Sequence, residues 1–171
     1  MSVEQKQKFK LIFILGLLTS IGPFSVDMYL PAFNRIAVDL NTSISNVMYS
    51  LSTYFIGISF GQLIYGPLLE KFGRKKPIYV GLVIYLMASL GCIVAFNVDM
   101  LIAMRFFQAI GGCVGMVAAR AMVRDLFPPT EFAKIFSSLM LILAVSPILA
   151  PTFGGYVTAF LGWHYVFVFL F

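Results

Sequence analysis

Charged residues are absent from four long stretches of this chain, residues 11–26, 40–69, 77–98 and 135–171, and between them the polar positions gather into short clusters. A hydrocarbon layer about 30 Å thick is crossed by about 20 apolar residues of helix, so each stretch has material for a span. A fifth span is needed between the third and fourth stretches, over residues 100–122, although it carries Arg105. The spans predicted are 9–30, 46–68, 77–97, 100–122 and 134–160, with a sixth beginning at 165. Only seven residues follow His164, which is about 10 Å of helix at 1.5 Å per residue. The sixth span is therefore expected to be truncated, and the chain to be a piece of something longer. The fold class predicted is an all-α membrane protein.

Composition strengthens this picture. Hydrophobic residues make up 60% of the chain and charged ones 11%, against roughly 45–50% apolar usage in soluble domains. Placement of the cations orients the spans, because Lys and Arg collect in cytoplasmic loops. With the N-terminus inside, Lys6, Lys8, Lys10, Lys71, Arg74, Lys75, Lys76, Arg120, Arg124 and Lys134 fall on the cytoplasmic side and only Arg35 outside. The basic excess thus has a membrane explanation and calls for no nucleic acid. The localisation expected is a bacterial-type inner membrane, multi-pass. Cys92 and Cys113 lie within spans and read as small buried hydrophobes.

Two charges lie deep. Asp27 is about 6 Å below the outer end of the first span and Arg105 about 8 Å below the same surface. A charge inside the bilayer costs about 2.5–3.5 kcal/mol or more, so each needs a cavity or a partner. Matching depth on antiparallel helices predicts that the two are neighbours facing one cavity. Gly16, Ser20, Pro23 and Asp27 form one small or polar stripe, and Arg105, Gln108, Gly112, Gly115 and Ala119 form another. A carboxylate in such a place can load and release a proton; a purely structural ion pair is the competing reading.

Elsewhere the small residues read as packing. Gly57 with Gly61 and Gly111 with Gly115 have the GxxxG spacing that lets membrane helices approach. Pro147, Pro151, Gly154 and Thr158 share a face of the fifth span, where two prolines interrupt the backbone ladder. Trp163 and His164 are expected at the outer interface, where aromatic anchors belong. Tyr49, Tyr54, Phe55 and Tyr65 read as core or lipid-facing residues, with an aromatic drug pocket as the sharper alternative. Arg120, Arg124 and Asp125 read as a solvated cluster. The segment 61–77, GQLIYGPLLEKFGRKKP, runs from the second span into a short, tight cytoplasmic loop, expected to hold Gly73 at positive φ. The sequence carries no phosphate-binding loop, metal spacing or nucleophile–base pair, so no enzyme, cofactor or metal site is expected.

These motifs resemble the major facilitator superfamily. GPLLEKFGRKK is similar to that family's loop between its second and third spans, through Gly66, Leu68, Lys71, Gly73, Arg74 and Lys75, with Glu70 in place of the commoner aspartate. RFFQAIGG resembles the fourth-span motif, through Arg105, Gln108 and Gly111. APTFGG resembles the antiporters' fifth-span signature, with Ala150 where a glycine is usual and with Pro151, Gly154 and Gly155 matching. VDMYLPAF resembles the first-span element ending in D-x-x-x-P, through Asp27 and Pro31. With ARAMVRDLFP it is most similar to the bicyclomycin-resistance branch of drug:proton antiporters.

The resemblance implies the first six-helix bundle of a twelve-span transporter, exporting a small hydrophobic drug-like substrate against protons by alternating access. Asp27 would be the protonatable carboxylate, with Arg105 and Gln108 beside it in coupling. Pro147, Ala150, Pro151, Gly154 and Gly155 would bend and seal. Glu70 and the basic residues after it would latch the cytoplasmic side, against a helix of the other bundle. A separately encoded C-terminal half is a candidate partner. The alternatives are an inactive or regulatory membrane fragment and a uniporter or symporter of the same superfamily.

Overall fold

A computed structural model describes the backbone of residues 3–171 and the side chains of residues 8–171; the Lys6 side chain lies outside the described residues. Every regular element among them is helical: α1 (Val3–Asp27), α2 (Phe33–Asp39), α3 (Ile44–Phe72), α4 (Lys75–Ile93), α5 (Val98–Leu126), α6 (Phe132–Phe160) and α7 (His164–Leu170), with 3₁₀ turns at Leu30–Ala32 and Pro129–Glu131. The α1, α3, α4, α5 and α6 segments have the length and apolarity to cross a bilayer.

The helices start where side-chain chemistry allows. Ser43 Oγ accepts from the Asn46 amide at 3.2 Å, and Asn97 Oδ1 from the Met100 amide at 2.7 Å. Each takes up one of the donors left open at a helix N-terminus. Between α3 and α4 the break is shorter than the loop expected. Glu70 and Lys71 are still in the last turn of α3, and only Gly73 and Arg74 separate the two helices. Gly73 has φ 77° and ψ 176°, and no atom lies within 4 Å of where its Cβ would be. Backbone conformation, not space, demands glycine there.

At the centre is α5, packed against α3, α4 and α1. Apolar side chains gain nothing by leaving lipid for one another, so membrane helices associate through close packing. Small residues supply it: a Cβ on Gly57 would meet the Phe106 carbonyl, on Gly61 the Cys113 sulfur, on Gly111 the Tyr85 amide, and on Gly115 the Leu18 carbonyl. The α6 helix lies along α1, and α7 packs on α4.

The end of the bundle that holds Trp163 differs from expectation. The connection after α1 folds into α2, which buries Ile36 and Ala37 in a cluster with Tyr29, Trp163 and Phe167. Trp163 is not an interfacial anchor: it is 1% exposed, and its indole donates to Asp39 Oδ2 at 3.0 Å. His164 stacks on it with ring centroids 3.7 Å apart. The carboxylate at the end of α2 gives the indole N–H a partner, so the ring can enter the core.

Candidate functional site

Arg105 is fully buried in the middle of the bundle. Its Nη1 donates to Gln108 Oε1 at 2.6 Å, one turn along α5, and its Nη2 to the Ser25 carbonyl of α1 at 3.1 Å. The guanidinium carbon lies 4.1 Å from the ring centroid of Tyr54, 4.4 Å from that of Tyr29 and 5.8 Å from that of Phe167. Among the described residues its Nε has no hydrogen-bond partner.

A hydroxyl network surrounds this cation. Gln108 Nε2 donates to Ser89 Oγ at 2.8 Å, and Ser89 donates to the Tyr85 carbonyl. Ser25 Oγ donates to the Ile21 carbonyl, so its 2.7 Å contact with Tyr85 is one in which the phenol donates. By the same reasoning Tyr29 donates to Ser50 Oγ at 2.7 Å, because Ser50 donates to the Val47 carbonyl. Four helices are tied together with each serine proton committed.

Magnitudes show why no carboxylate is required here. Desolvated cation–π contacts contribute about 2 kcal/mol each, and hydrogen bonds to a charged group about 1.5–3 kcal/mol each. Two close rings and two such bonds exceed the roughly 2.5–3.5 kcal/mol insertion cost of the charge.

Asp27 is elsewhere. It ends α1, half-buried, and its Oδ2 accepts from Ser146 Oγ of α6 at 3.2 Å. Among the described residues no ion pair within 4.0 Å joins it to Arg105. The expectation of neighbouring charges is corrected by helix geometry. Arg105 reaches α1 at Ser25, and a residue two positions on is turned by about 200°. Depth matched; direction did not.

Gly16 and Asp27 of the α1 stripe border α6 instead. A Cβ on Gly16 would strike the Ile142 side chain, and one on Gly154 would strike the Met28 carbonyl. Gly155 faces Pro31, with 3.9 Å from its Cβ position to the Pro31 Cβ. Pro147 and Pro151 lie inside α6, between Ser146 and Gly154, and Ala150 is buried. The structure thus brings Asp27 together with the proline–glycine segment, and Arg105 together with Gln108 in a separate buried network.

At the end of the bundle that holds the Gly73–Arg74 turn, Arg74 Nε lies 2.7 Å from Asp125 Oδ2, and Arg124 Nη2 lies 3.9 Å from Glu70 Oε1. Asp125 is therefore more than part of a solvated cluster: it ties the Gly73–Arg74 turn to the end of α5. A groove of ≈ 370 Å³ lies beside these groups, bounded by Gly66, Leu69, Arg120 and Phe136. No atom lies within 4 Å of a Cβ placed on Gly66. Lys71 and Lys75 are exposed. Of the four aromatics singled out on α3, Tyr54 and Tyr65 are buried, whereas Tyr49 and Phe55 are on the exposed face.

Sequence reasoning missed Ser25, Tyr29, Ser50, Tyr85 and Ser89. A signal for them exists. Ser25 with Tyr29, Ser50 with Tyr54 and Tyr85 with Ser89 are serine–tyrosine pairs at i, i+4; the last two lie within α3 and α4, which places each of those pairs on one face, and Tyr29 follows directly after the end of α1.

A bundle of long apolar helices around a buried cation, with a half-buried carboxylate near one end, defines a multi-pass helical membrane protein. Residues 15–171 match the family model of the Major Facilitator Superfamily, and the chain belongs to that family. It is 42% identical over 164 residues to the MFS-type transporter YdgK of Bacillus subtilis, covering 95% of this chain and 41% of that one. It is 38% identical to a bicyclomycin resistance protein homolog of Haemophilus influenzae, covering 96% of this chain and 41% of the relative. With multidrug resistance protein D of Escherichia coli the identity is 32%, covering 98% and 43%. The chain spans about two-fifths of the length of these curated relatives.

Proposed function

We propose that this chain forms the N-terminal half of a proton-coupled drug exporter that works by alternating access, N-terminus in the cytoplasm. The observation that carries the reading is the setting of Asp27. It is a half-buried carboxylate with Ser146, a neutral hydroxyl, as its hydrogen-bond partner, and no cation lies within ion-pair distance among the described residues. Such a group can exchange a proton without first breaking a salt bridge. Its neighbours are the α6 prolines and the Met28–Gly154 contact, so a change in its charge acts where α1 and α6 lean on each other. Arg105 with Gln108 serves as the fixed positive core around which the spans are held, and the Arg74–Asp125 tie as part of the cytoplasmic latch.

Support for a drug-like substrate comes from the relatives' names, which speak of bicyclomycin and multidrug resistance. The test is drug uptake into acid-loaded inside-out vesicles containing the chain together with the second half of the transporter, with bicyclomycin as probe. Asp27→Asn abolishes drug-dependent proton release, and the protein still inserts and folds. Undiminished coupling in that variant would overturn the assignment.

A further inference from the structure

The α3 and α4 helices both pack chiefly on α5 and touch each other little. They consequently leave a furrow between them near the Gly73–Arg74 turn, lined by Tyr65, Leu68, Phe72, Lys76, Pro77 and Val80. Its volume is ≈ 230 Å³ and its walls are apolar. From Phe72 to Tyr65 it runs about 10 Å along α3, a distance that leads from the helix end into the hydrocarbon layer. Tyr65 is 3% exposed and forms the floor, whereas Phe72 and Val80 stand open on the flanks.

The mouth of the furrow is cationic. Lys76 lines it directly, and the Lys71 ammonium sits 5.4 Å from the centre of the Phe72 ring. Lys75 lies beside them, exposed. Among the described residues none of these three lysines has a carboxylate within 4.0 Å. Glu70, on the same turn of α3, reaches toward Arg124 instead. An apolar slot of hydrocarbon depth, with uncompensated ammonium groups at headgroup level, is complementary in shape and charge to an anionic phospholipid. Each lysine near a membrane surface adds to the attraction for such headgroups, and the slot adds contact with an acyl chain.

We propose that the furrow between α3 and α4 binds one anionic phospholipid, its phosphate held by Lys71 and Lys76 and an acyl chain lying over Tyr65 and Leu68. The inference needs the chain to span a bilayer and does not depend on transport.

The experiment is native mass spectrometry of the whole chain in detergent, with equal amounts of phosphatidylglycerol and phosphatidylcholine. Wild type retains one phosphatidylglycerol in preference. The double variant Lys71→Gln/Lys76→Gln loses that preference by about tenfold or more. Val80→Trp fills the slot while keeping the lysines and loses retention comparably. Lys10→Gln/Lys134→Gln, away from the furrow, behaves as wild type. Equal retention of the two lipids by wild type overturns the site, as does Val80→Trp binding normally. Equal loss in the Lys10/Lys134 variant shows diffuse charge attraction only, and also overturns it. Soluble glycerophosphoglycerol that displaces the lipid fully would show that no acyl chain is seated. As a check that requires no variant, phosphatidylglycerol with a photoactivatable acyl chain labels the 65–80 segment; labelling spread evenly over all spans contradicts the proposal.

Discussion

The guanidinium of Arg105 lies 4.1 Å from the ring centre of Tyr54, and both side chains are fully buried. Tyr29 lies 4.4 Å from the same group, so a cation inside the membrane is held between two phenol rings and not against a carboxylate. The ring faces supply attraction that survives in a low-dielectric interior. Replacing Tyr54 with Leu should lower stability by about 2 kcal/mol or more, combining lost cation–π contact with a poorer fit. Tyr54→Phe should cost far less, because it keeps the ring and the phenol's hydrogen bond to the Gly22 carbonyl is long, at 3.5 Å. Thermal melts of the two variants in detergent make the comparison.

Gln108 connects Arg105 to Ser89. Gln108→Leu preserves volume and leaves both Nη1 and the Ser89 acceptor without that partner. The expected loss is about 1.5–3 kcal/mol, the scale for a hydrogen bond to a buried charge. Gln108→Glu should restore much of it by offering the guanidinium a carboxylate. A melt in which Leu matches wild type would mean that Nη1 finds another acceptor.

Two glycines of the family-like motifs should behave oppositely. Gly154→Ala drives a methyl into the Met28 carbonyl, and neither backbone can yield cheaply. It should separate α1 from α6 and lower the yield of folded protein. Gly66→Ala meets no atom within 4 Å and should fold as wild type, with a slight gain from helix propensity. Gel-filtration profiles of the two variants decide this.

Arg74 and Asp125 join the α3–α4 turn to the end of α5 at 2.7 Å, in a partly exposed setting. The pair should matter little to global stability and should weaken with salt. Asp125→Asn should leave the melt nearly unchanged while raising hydrogen exchange at residues 72–76. The charge-reversed double variant Arg74→Asp/Asp125→Arg should restore protection at low salt.

The sequence carried the class of this fold openly and the arrangement of its charges only in part. Hydrocarbon excludes charge so strongly that stretches such as 40–69 and 135–171 announce membrane helices. Depth along a helix could be counted too, which is why Asp27 and Arg105 were set at one level. Direction around the helix could not be read from depth. Ser25 and Asp27 have nearly the same height and point to different neighbours, and a backbone carbonyl, invisible in a side-chain pattern, took the place expected for the carboxylate. Likewise Asp39 and Trp163 are 124 positions apart, so nothing local marked the tryptophan as buried. The serine–tyrosine pairs were legible in principle, since i, i+4 spacing is local.

In the proposed function Asp27, standing apart from Arg105, is the group whose protonation is coupled to drug movement. Infrared difference spectroscopy of the transporter in lipid, recorded as drug is added at constant pH, observes the carboxyl band directly. A protonated-carboxyl signal should change on drug addition, disappear in Asp27→Asn and persist in Arg105→Lys. A drug-dependent signal that remains in Asp27→Asn, or no carboxyl signal in wild type under conditions where drug binds, would contradict that coupling.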